Sequence, residues 1–323
     1  MIDGSPILEA RNLSKYFTAR SNYKQTMTVK AVDNVTLSLN RGETLALVGE
    51  SGCGKSTTGR LLLRLIEPTS GEIFYKGQEL SGLSHRAMLP LRRELQIIFQ
   101  DPFGSLNPRL SVGSILREPL DIHEIRDKAG RRARVEELLE LVGLSPSQIS
   151  RYPHEFSGGQ RQRIGIARAL ALEPNVLVCD EPVSALDVSI QAQIINLMQD
   201  LQQRLGLTYF FISHNLSVVR QIADRVYVMY LGCIVETGKT EEIFRSPRHP
   251  YTQALMSALP RPDPDRRRSR IILKGDVPSP YMPPSGCSFH TRCPLALPLC
   301  SVEKPALRNV SNHQQVACHL AGH

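Results

Sequence analysis

The sequence lacks a run of about 18 or more apolar residues, so no segment is predicted to span a bilayer as a helix. Residues Met1 to Pro6 also lack the basic stretch and apolar run of a secretion signal, so we expect no signal peptide and a cytoplasmic protein. There is no internal repeat. No recognised nucleic-acid-reading module accompanies the net charge of +8, so we expect no nucleic-acid partner.

The composition is that of an ordinary globular protein. Of 323 residues, 41% are hydrophobic and 22% are charged, which supplies enough apolar mass for a core. This length permits one large domain with a smaller one, or two domains of medium size.

The clearest motif is a glycine-rich loop that fits G-x-x-x-x-G-K-[ST] at every fixed position. It follows a short apolar strand, Thr44 to Val48, and precedes a stretch with leucines at helical spacing. Glycines let the backbone approach a phosphate chain, Lys55 reaches its β- and γ-oxygens, and the Ser56 hydroxyl binds Mg²⁺. The loop consists of Gly49, Glu50, Ser51, Gly52, Cys53, Gly54, Lys55, Ser56 and Thr57.

A second apolar strand, Val176 to Cys179, ends on two carboxylates, Asp180 and Glu181. Because adjacent strand residues point to opposite sides, these two acids take different roles. We expect Asp180 to hold Mg²⁺ and Glu181 to polarise an attacking water. His214 follows a further strand and is placed to contact the γ-phosphate.

Two turns lead into helices. Ser157, Gly158, Gly159 and Gln160 open the first helix, with Ser157 as its N-cap and two glycines that leave outward N–H groups for an anion. A turn that ends at Asp187 opens the second helix, which Gly206 terminates.

The pattern predicts an α/β core with additions. Residues 7–18 and 32–39 alternate as half-buried strands, with a polar hairpin loop between them. Helices over 112–120 and 132–144 form an insert. After about residue 244, recurrent prolines predict a loop-rich appendage. We therefore expect a domain over 1–250, with a helical part at about 101–156, and an extension over 251–323.

Four of the seven cysteines lie in the extension: Cys287, Cys293, Cys300 and Cys318. In a reducing cytoplasm such clustering favours metal binding over disulfides. Four thiolates suit zinc and an iron–sulfur cluster about equally. The spacing matches no bacterial ferredoxin and contains no C-x2-C. Unligated buried cysteines are the remaining alternative.

The order of these motifs resembles the ATPase subunit of an ABC transporter over residues 7 to about 251. The resemblance implies a P-loop (RecA-like) ABC ATPase core with an antiparallel β subdomain and a helical insert. Longer stretches resemble the dipeptide and oligopeptide permease branch of that family, namely residues 100–109, 151–160, 182–189, 249–252 and 283–294.

This resemblance implies roles for individual residues. Phe17 stacks on the adenine of ATP, with Tyr16 as the alternative, and Gln100 senses Mg²⁺ and the transport partner. The turn at 157–160 contacts the γ-phosphate held by the other ATPase subunit of a head-to-tail dimer, and Asp187 lies at the dimer seam.

It also implies partners and a location. A homologous ATPase subunit, two integral membrane permease subunits and, indirectly, an external peptide-binding protein are expected. The chain sits peripherally on the cytoplasmic face of the membrane, and a groove in the 101–154 insert receives a coupling helix. ATP hydrolysis then energises uptake of di- and oligopeptides, and in this branch the four cysteines hold a [4Fe–4S] cluster.

Two alternatives stay open. One is an importer ATPase for nickel or another small solute. The other is a soluble ABC-type ATPase acting on ribosomes or DNA, against which the single cassette and short insert count. The chain also departs from the family pattern, because Asn215 stands where the family commonly has Asp. This removes a charge beside His214 and affects the expectation of full hydrolytic activity.

Overall fold

A computed structural model describes residues 5–20, 26–259 and 271–321. In chain order, the strands are β1 (Leu8–Arg20), β2 (Thr26–Leu39), β3 (Thr44–Val48), β4 (Ser70–Tyr75), β5 (Gln78–Glu79), β6 (Leu95–Ile98), β7 (Val176–Asp180), β8 (Thr208–Ser213), β9 (Arg225–Tyr230), β10 (Cys233–Lys239), β11 (Arg308–Ser311) and β12 (Gln314–Val316). The α-helices are α1 (Lys55–Leu62), α2 (His85–Glu94), α3 (Pro102–Ser105), α4 (Val112–Ile122), α5 (Lys128–Leu141), α6 (Gly158–Leu170), α7 (Val188–Leu205), α8 (Leu216–Ile222), α9 (Thr240–Arg245) and α10 (Pro250–Ser257). Short 3₁₀ helices cover Pro146–Gln148, Pro153–Glu155 and Pro298–Ser301.

The chain divides into two compact units. The first comprises Met1–Leu39, Thr44–Ser81 and Ser213–His323, and the second comprises Asn40–Glu43 and Gly82–Ile212. The first unit holds an antiparallel sheet in the order β2-β1-β4-β5 and a second run of strands in the order β11-β12-β10-β9-β3. In that run, β3 pairs in parallel with β9, whereas β10 pairs antiparallel with both β9 and β12.

The apolar core of the first unit contains residues of β3, of β9 and of the extension. Every residue of β3 is buried, as expected for a parallel strand covered on both faces. Val48, Val228 and Tyr230 pack in one apolar cluster with Tyr251 of α10 and Phe289 of the extension. The loop-rich extension therefore shares a core with the strand that precedes the glycine loop.

The second unit is an α/β layer with a helical part. Strands β6, β7 and β8 are parallel, with β7 between the other two. Helix α6 begins at the Ser157 cap, and α7 ends at Gly206 in the left-handed conformation (φ 65°), as the sequence predicted.

Two predicted boundaries were wrong. The strands β1 and β2 extend into the expected polar loop, because β1 runs to Arg20, β2 begins at Thr26, and Lys30 pairs with Tyr16. The predicted helix over 132–144 starts one turn earlier, because the Asp127 carboxylate accepts from the Gly130 N–H at 2.9 Å and caps α5. Across the described ranges, no helix combines the length and apolarity that crossing a membrane requires.

Candidate functional site

The glycine loop runs from the end of β3 to the start of α1, as predicted, and two of its glycines are required by packing. A Cβ added at Gly49 would overlap the carbonyl oxygen of Met229, and one at Gly54 would overlap that of Ala31. Gly54 also has φ 107°, which L side chains rarely adopt. At Gly49 and Gly54 the loop backbone therefore lies directly against backbone carbonyls of the same unit, which restricts its position.

Lys55 is the first residue of α1 and is only 4% exposed. Its Nζ donates to the carbonyl oxygens of Gly49 and Glu50, at 2.9 and 3.0 Å. These two bonds hold the ammonium group against the loop. Ser56 and Thr57, the next two positions of the motif, are half-buried.

Cys53 in the same loop has a structural position. It is 5% exposed, and its carbonyl oxygen accepts from the Gly232 N–H at 2.9 Å. Burial raises the pKa of its thiol to about 11, so the group stays protonated at neutral pH. Of the remaining loop positions, Ser51 and Gly52 are exposed.

Glu50 has two partners that sequence reasoning missed. Its carboxylate accepts from both terminal nitrogens of Arg292, at 2.8 and 3.3 Å. Its backbone N–H donates to the Tyr251 hydroxyl at 2.9 Å. Both partners lie more than 200 positions away, so no local sequence pattern signals them.

The two aromatic candidates at the end of β1 differ in their surroundings. The Tyr16 hydroxyl donates to Asp33 Oδ1 at 2.6 Å, whereas Phe17 is 43% exposed. The Lys15 Nζ lies 5.2 Å from the Phe17 ring centroid. Of the two rings, Phe17 is the more accessible for stacking on a flat ligand.

His214 follows β8 and is exposed. The residue after it, Asn215, caps α8, because its Oδ1 accepts from the backbone N–H groups of Ser217 and Val218 at 3.0 and 3.4 Å. Asparagine and aspartate both supply such an acceptor. The departure from the family pattern therefore preserves the start of the helix and changes only the charge.

In the second unit, the two carboxylates at the end of β7 differ in backbone conformation. Asp180 is the last strand residue and is 4% exposed. Glu181 has a positive φ of 47°, and its N–H donates to the Ile212 carbonyl at 3.0 Å. Its Oε2 accepts from Gln100 Nε2 at 3.0 Å. The fold thus brings together Gln100 and Glu181, a pairing that the sequence analysis did not make.

The turn at 157–160 is a complete capping box. Ser157 Oγ accepts from the Gln160 N–H at 3.3 Å, and Gln160 Oε1 accepts from the Ser157 N–H at 3.0 Å. A Cβ at Gly159 would lie 2.6 Å from Ile190 Cγ2 on α7, whereas one at Gly158 would make an ordinary 3.5 Å contact with Leu186. Gly159 is therefore needed for helix packing, a reason that the sequence did not reveal.

The start of α7 is exposed. Asp187 occupies its N-cap position without a capping bond from its side chain, and the next residue, Val188, is 82% exposed.

The four cysteines of the extension lie near one another, since the Cys287 thiol interacts electrostatically with those of Cys293, Cys300 and Cys318. Burial raises the pKa of the Cys287 thiol to about 11. A hydrogen bond from the Phe289 N–H offsets part of this rise, because it stabilises the thiolate. Burial likewise raises the pKa of the Cys293 and Cys318 thiols. Hydrogen bonds from the Leu295 N–H to Cys293 and from the Leu320 N–H to Cys318 offset part of the rise. The Leu297 N–H lies 3.4 Å from Cys300 Sγ. Among the described residues, no group of three or more His, Cys, Asp or Glu is arranged to hold a single metal ion.

Two family models match different parts of the chain. Residues 32–184 match the family model described as ABC transporter, and residues 235–300 match that described as oligopeptide/dipeptide transporter, C-terminal region. The chain is 56% identical to the oligopeptide transport ATP-binding protein AppF of Bacillus subtilis over 319 residues, covering 97% of each chain. It is also 56% identical to a peptide import ATP-binding protein of Brucella ovis over 314 residues, covering 97% of this chain and 98% of that one.

Solved structures agree in fold. The ATP-binding cassette MJ0796, a dimer in a post-hydrolysis state bound to ADP and Pi, is 29% identical with a TM-score of 0.65, covering 72% of this chain and 98% of its own. CbiO1 of Clostridium perfringens, part of the ABC transporter complex cbiONQ, is 28% identical with a TM-score of 0.64, covering 75% of this chain and 92% of its own. These likenesses confirm the predicted α/β ABC ATPase fold.

Proposed function

The chain belongs to the ABC transporter ATPase family, in its oligopeptide/dipeptide branch, and from this we propose that it is the ATP-hydrolysing subunit of a peptide importer. The observation that carries the proposal is the glycine loop, in which Lys55 is buried and held by two loop carbonyls. Such a loop binds the phosphates of a nucleoside triphosphate through backbone N–H groups and the lysine.

The residues of the first unit bind the nucleotide. Loop residues 49–57 hold the triphosphate, and Lys55 neutralises its terminal oxygens. Phe17 stacks on the adenine, because its ring is exposed while the Tyr16 hydroxyl is bonded to Asp33. His214 donates to the γ-phosphate.

The residues of the second unit carry the chemistry. Glu181 orients the attacking water and accepts its proton, and Gln100, bonded to Glu181 at 3.0 Å, keeps that carboxylate in place. Asp180 would bind Mg²⁺, a role that we also propose for Ser56 of the first unit, and the ion would neutralise charge on the phosphates of ATP. The reaction is an in-line attack of water on the γ-phosphorus, releasing ADP and phosphate.

Two copies of the cassette, this chain and a homologous chain, complete the site. Ser157, Gly158, Gly159 and Gln160 of each copy contact the γ-phosphate of the other, and Asp187 lies at the seam. Asp187 is exposed, so a second copy can reach it. Closure on ATP and opening after hydrolysis then drive two membrane permease subunits from the cytoplasmic face, while an external binding protein delivers the peptide.

We further propose that Cys287, Cys293, Cys300 and Cys318 hold an iron–sulfur cluster. Support comes from the number of thiols and from their proximity, since the Cys287 thiol interacts electrostatically with the other three. Zinc, the alternative metal, would take the same four thiolates. Anaerobically purified protein should show a broad visible absorbance from thiolate-to-iron charge transfer. Colourless protein with stoichiometric zinc would contradict the assignment.

The hydrolytic role is tested at Glu181. We expect Glu181→Gln to bind MgATP normally and to lose turnover by at least about 100-fold, because the base is gone while the binding groups remain. Lys55→Ala is the matched variant and should lose binding. Steady-state hydrolysis by Glu181→Gln near the wild-type rate would reject the assignment.

The transport role is tested with the permease subunits present. Copurification with them, and ATP-dependent uptake of labelled peptide into vesicles, are the expected results. Uptake of nickel and not of peptide, or an absence of any membrane partner, would favour one of the other two functions.

A further inference from the structure

We propose that Arg292 is a positioning residue for the phosphate loop, and that it sets the affinity for the triphosphate by neutralising the Glu50 carboxylate. This inference rests on the proposed function, because it concerns how the same loop binds ATP. It assigns a nucleotide-binding task to the extension, which lies outside the sequence motifs of the cassette.

The contact is well formed. Arg292 Nη1 lies 2.8 Å from Glu50 Oε2, and Nη2 lies 3.3 Å from Oε1, which is the two-pronged geometry that guanidinium and carboxylate groups favour. The Arg292 side chain is 9% exposed and that of Glu50 28%. A pair sheltered to this degree is screened less by salt than a pair on the open surface.

Charge explains why the pair matters. Glu50 is the second residue of the loop, so its carboxylate is carried by the same nine-residue segment that we propose holds the triphosphate. Two negative groups repel one another, and the repulsion is strong where the dielectric is low. With Arg292 in place, the carboxylate is compensated. Without it, the loop would carry one uncompensated negative charge.

The packing of the extension around Phe289 restrains Arg292. Phe289, three residues earlier, is 1% exposed and packs edge-on against Tyr230, with ring centroids 5.2 Å apart. It also packs against Tyr251 at 5.4 Å, and the Tyr251 hydroxyl accepts from the Glu50 N–H. The guanidinium and the hydroxyl therefore approach the same loop residue from one packed aromatic cluster.

A charge cycle measured on the full-length chain tests the proposal. MgATP affinity is measured by calorimetry for wild type, Arg292→Gln, Glu50→Gln and the double variant. We expect Arg292→Gln to bind roughly tenfold more weakly, because the carboxylate then faces the phosphates alone. Glu50→Gln should bind about threefold more tightly, since the arginine charge is then uncompensated. The double variant should return to within about twofold of wild type.

A purely structural role for Arg292 would give a different order of affinities, because neutralising Glu50 could not restore a displaced tail. The loss in Arg292→Gln should also shrink from ATP to AMP as the ligand charge falls. Lys304→Gln is the matched control. It removes another ion pair between the extension and the first unit, Lys304 to Asp33 at 2.8 Å, without touching the loop, and should leave affinity unchanged.

The outcomes separate the two proposals. If wild type fails to bind MgATP, the proposed function is wrong. If wild type binds and Lys55→Ala does not, but Arg292→Gln binds like wild type, only the present inference fails. Failure of the double variant to recover would also overturn it.

Discussion

The phosphate loop and the turn at 157–160 both present backbone N–H groups at the start of a helix, yet they are supported in opposite ways. The loop is fixed by distant parts of its own unit, through Tyr251 and Arg292 at Glu50 and through close backbone approaches at Gly49 and Gly54. The turn is satisfied by its own capping box, and Ser157 is exposed.

The difference separates a surface that is assembled within the chain from one that is left open for a partner. Distant contacts restrict the loop to one shape before any ligand arrives, which reduces the ordering cost of binding. The turn makes its capping hydrogen bonds within itself and packs on α7 through Gly159, so its outer face at Ser157 stays accessible. This is what the proposed head-to-tail dimer requires of the turn.

The largest effect should come from changing the loop glycines. We expect Gly54→Ala to lower ATP turnover by about 100-fold, because its Cβ must push away the Ala31 carbonyl and displaces the loop. Gly52→Ala is the control: its Cβ meets no atom within 4 Å, and its φ of 77° costs about 1 kcal/mol. Equal turnover in the two variants would show that the loop is not held by its surroundings.

The next effect concerns the turn. Gly159→Ala should be less stable than Gly158→Ala by about 2 kcal/mol, because only the first brings a Cβ against Ile190. Urea unfolding measures the difference. Combining Gly159→Ala with Ile190→Ala should recover part of the loss, and equal stability of the two single variants would remove helix packing as the reason for this glycine.

Acid should weaken the region behind the phosphate loop. Burial lowers the pKa of His249 to about 3, and its Nδ1 accepts from the Tyr251 N–H at 3.1 Å. Since the folded pKa lies below the unfolded value of about 6.5, its contribution is complete above pH ~6.5 and is lost as pH falls, by about 1.4 kcal/mol per unit.

The pH test must allow for Glu236 and needs a variant that does not titrate at position 249. Glu236 accepts from the His249 N–H, and burial raises its pKa, which offsets part of the slope. Urea midpoints at pH 7, 6 and 5 should fall less steeply for His249→Asn, which keeps an N-cap acceptor without titrating. Parallel slopes for wild type and variant would show that His249 is not the group responsible.

The smallest effect is expected at Asn215. Because either side chain caps α8, Asn215→Asp should stabilise the chain by about 0.5 kcal/mol through the helix dipole. Turnover should change by less than about threefold, since one charge is added beside His214 without moving it. A rise of tenfold or more in kcat would mean that asparagine limits hydrolysis in this chain.

Features encoded by neighbouring residues were predictable from the sequence. The strand–loop–helix around Lys55, the Ser157 cap and the Gly206 terminus all depend on residues within a few positions of one another. The contacts of Glu50 with Arg292, of Gln100 with Glu181 and of Gly159 with Ile190 were not predictable. Each joins separate elements, and pairing across such distances leaves no period or spacing in a single sequence.

The separation of Glu50 and Arg292 by 242 positions has a consequence for biosynthesis. At a synthesis rate of roughly 5–20 residues per second, the phosphate loop leaves the ribosome at least about ten seconds before Arg292, which compensates the charge of Glu50. A half-made polypeptide therefore carries the turn with its acidic side chain unopposed. The roughly tenfold gain in ATP affinity that we expect from Arg292 therefore becomes available only when translation is nearly over.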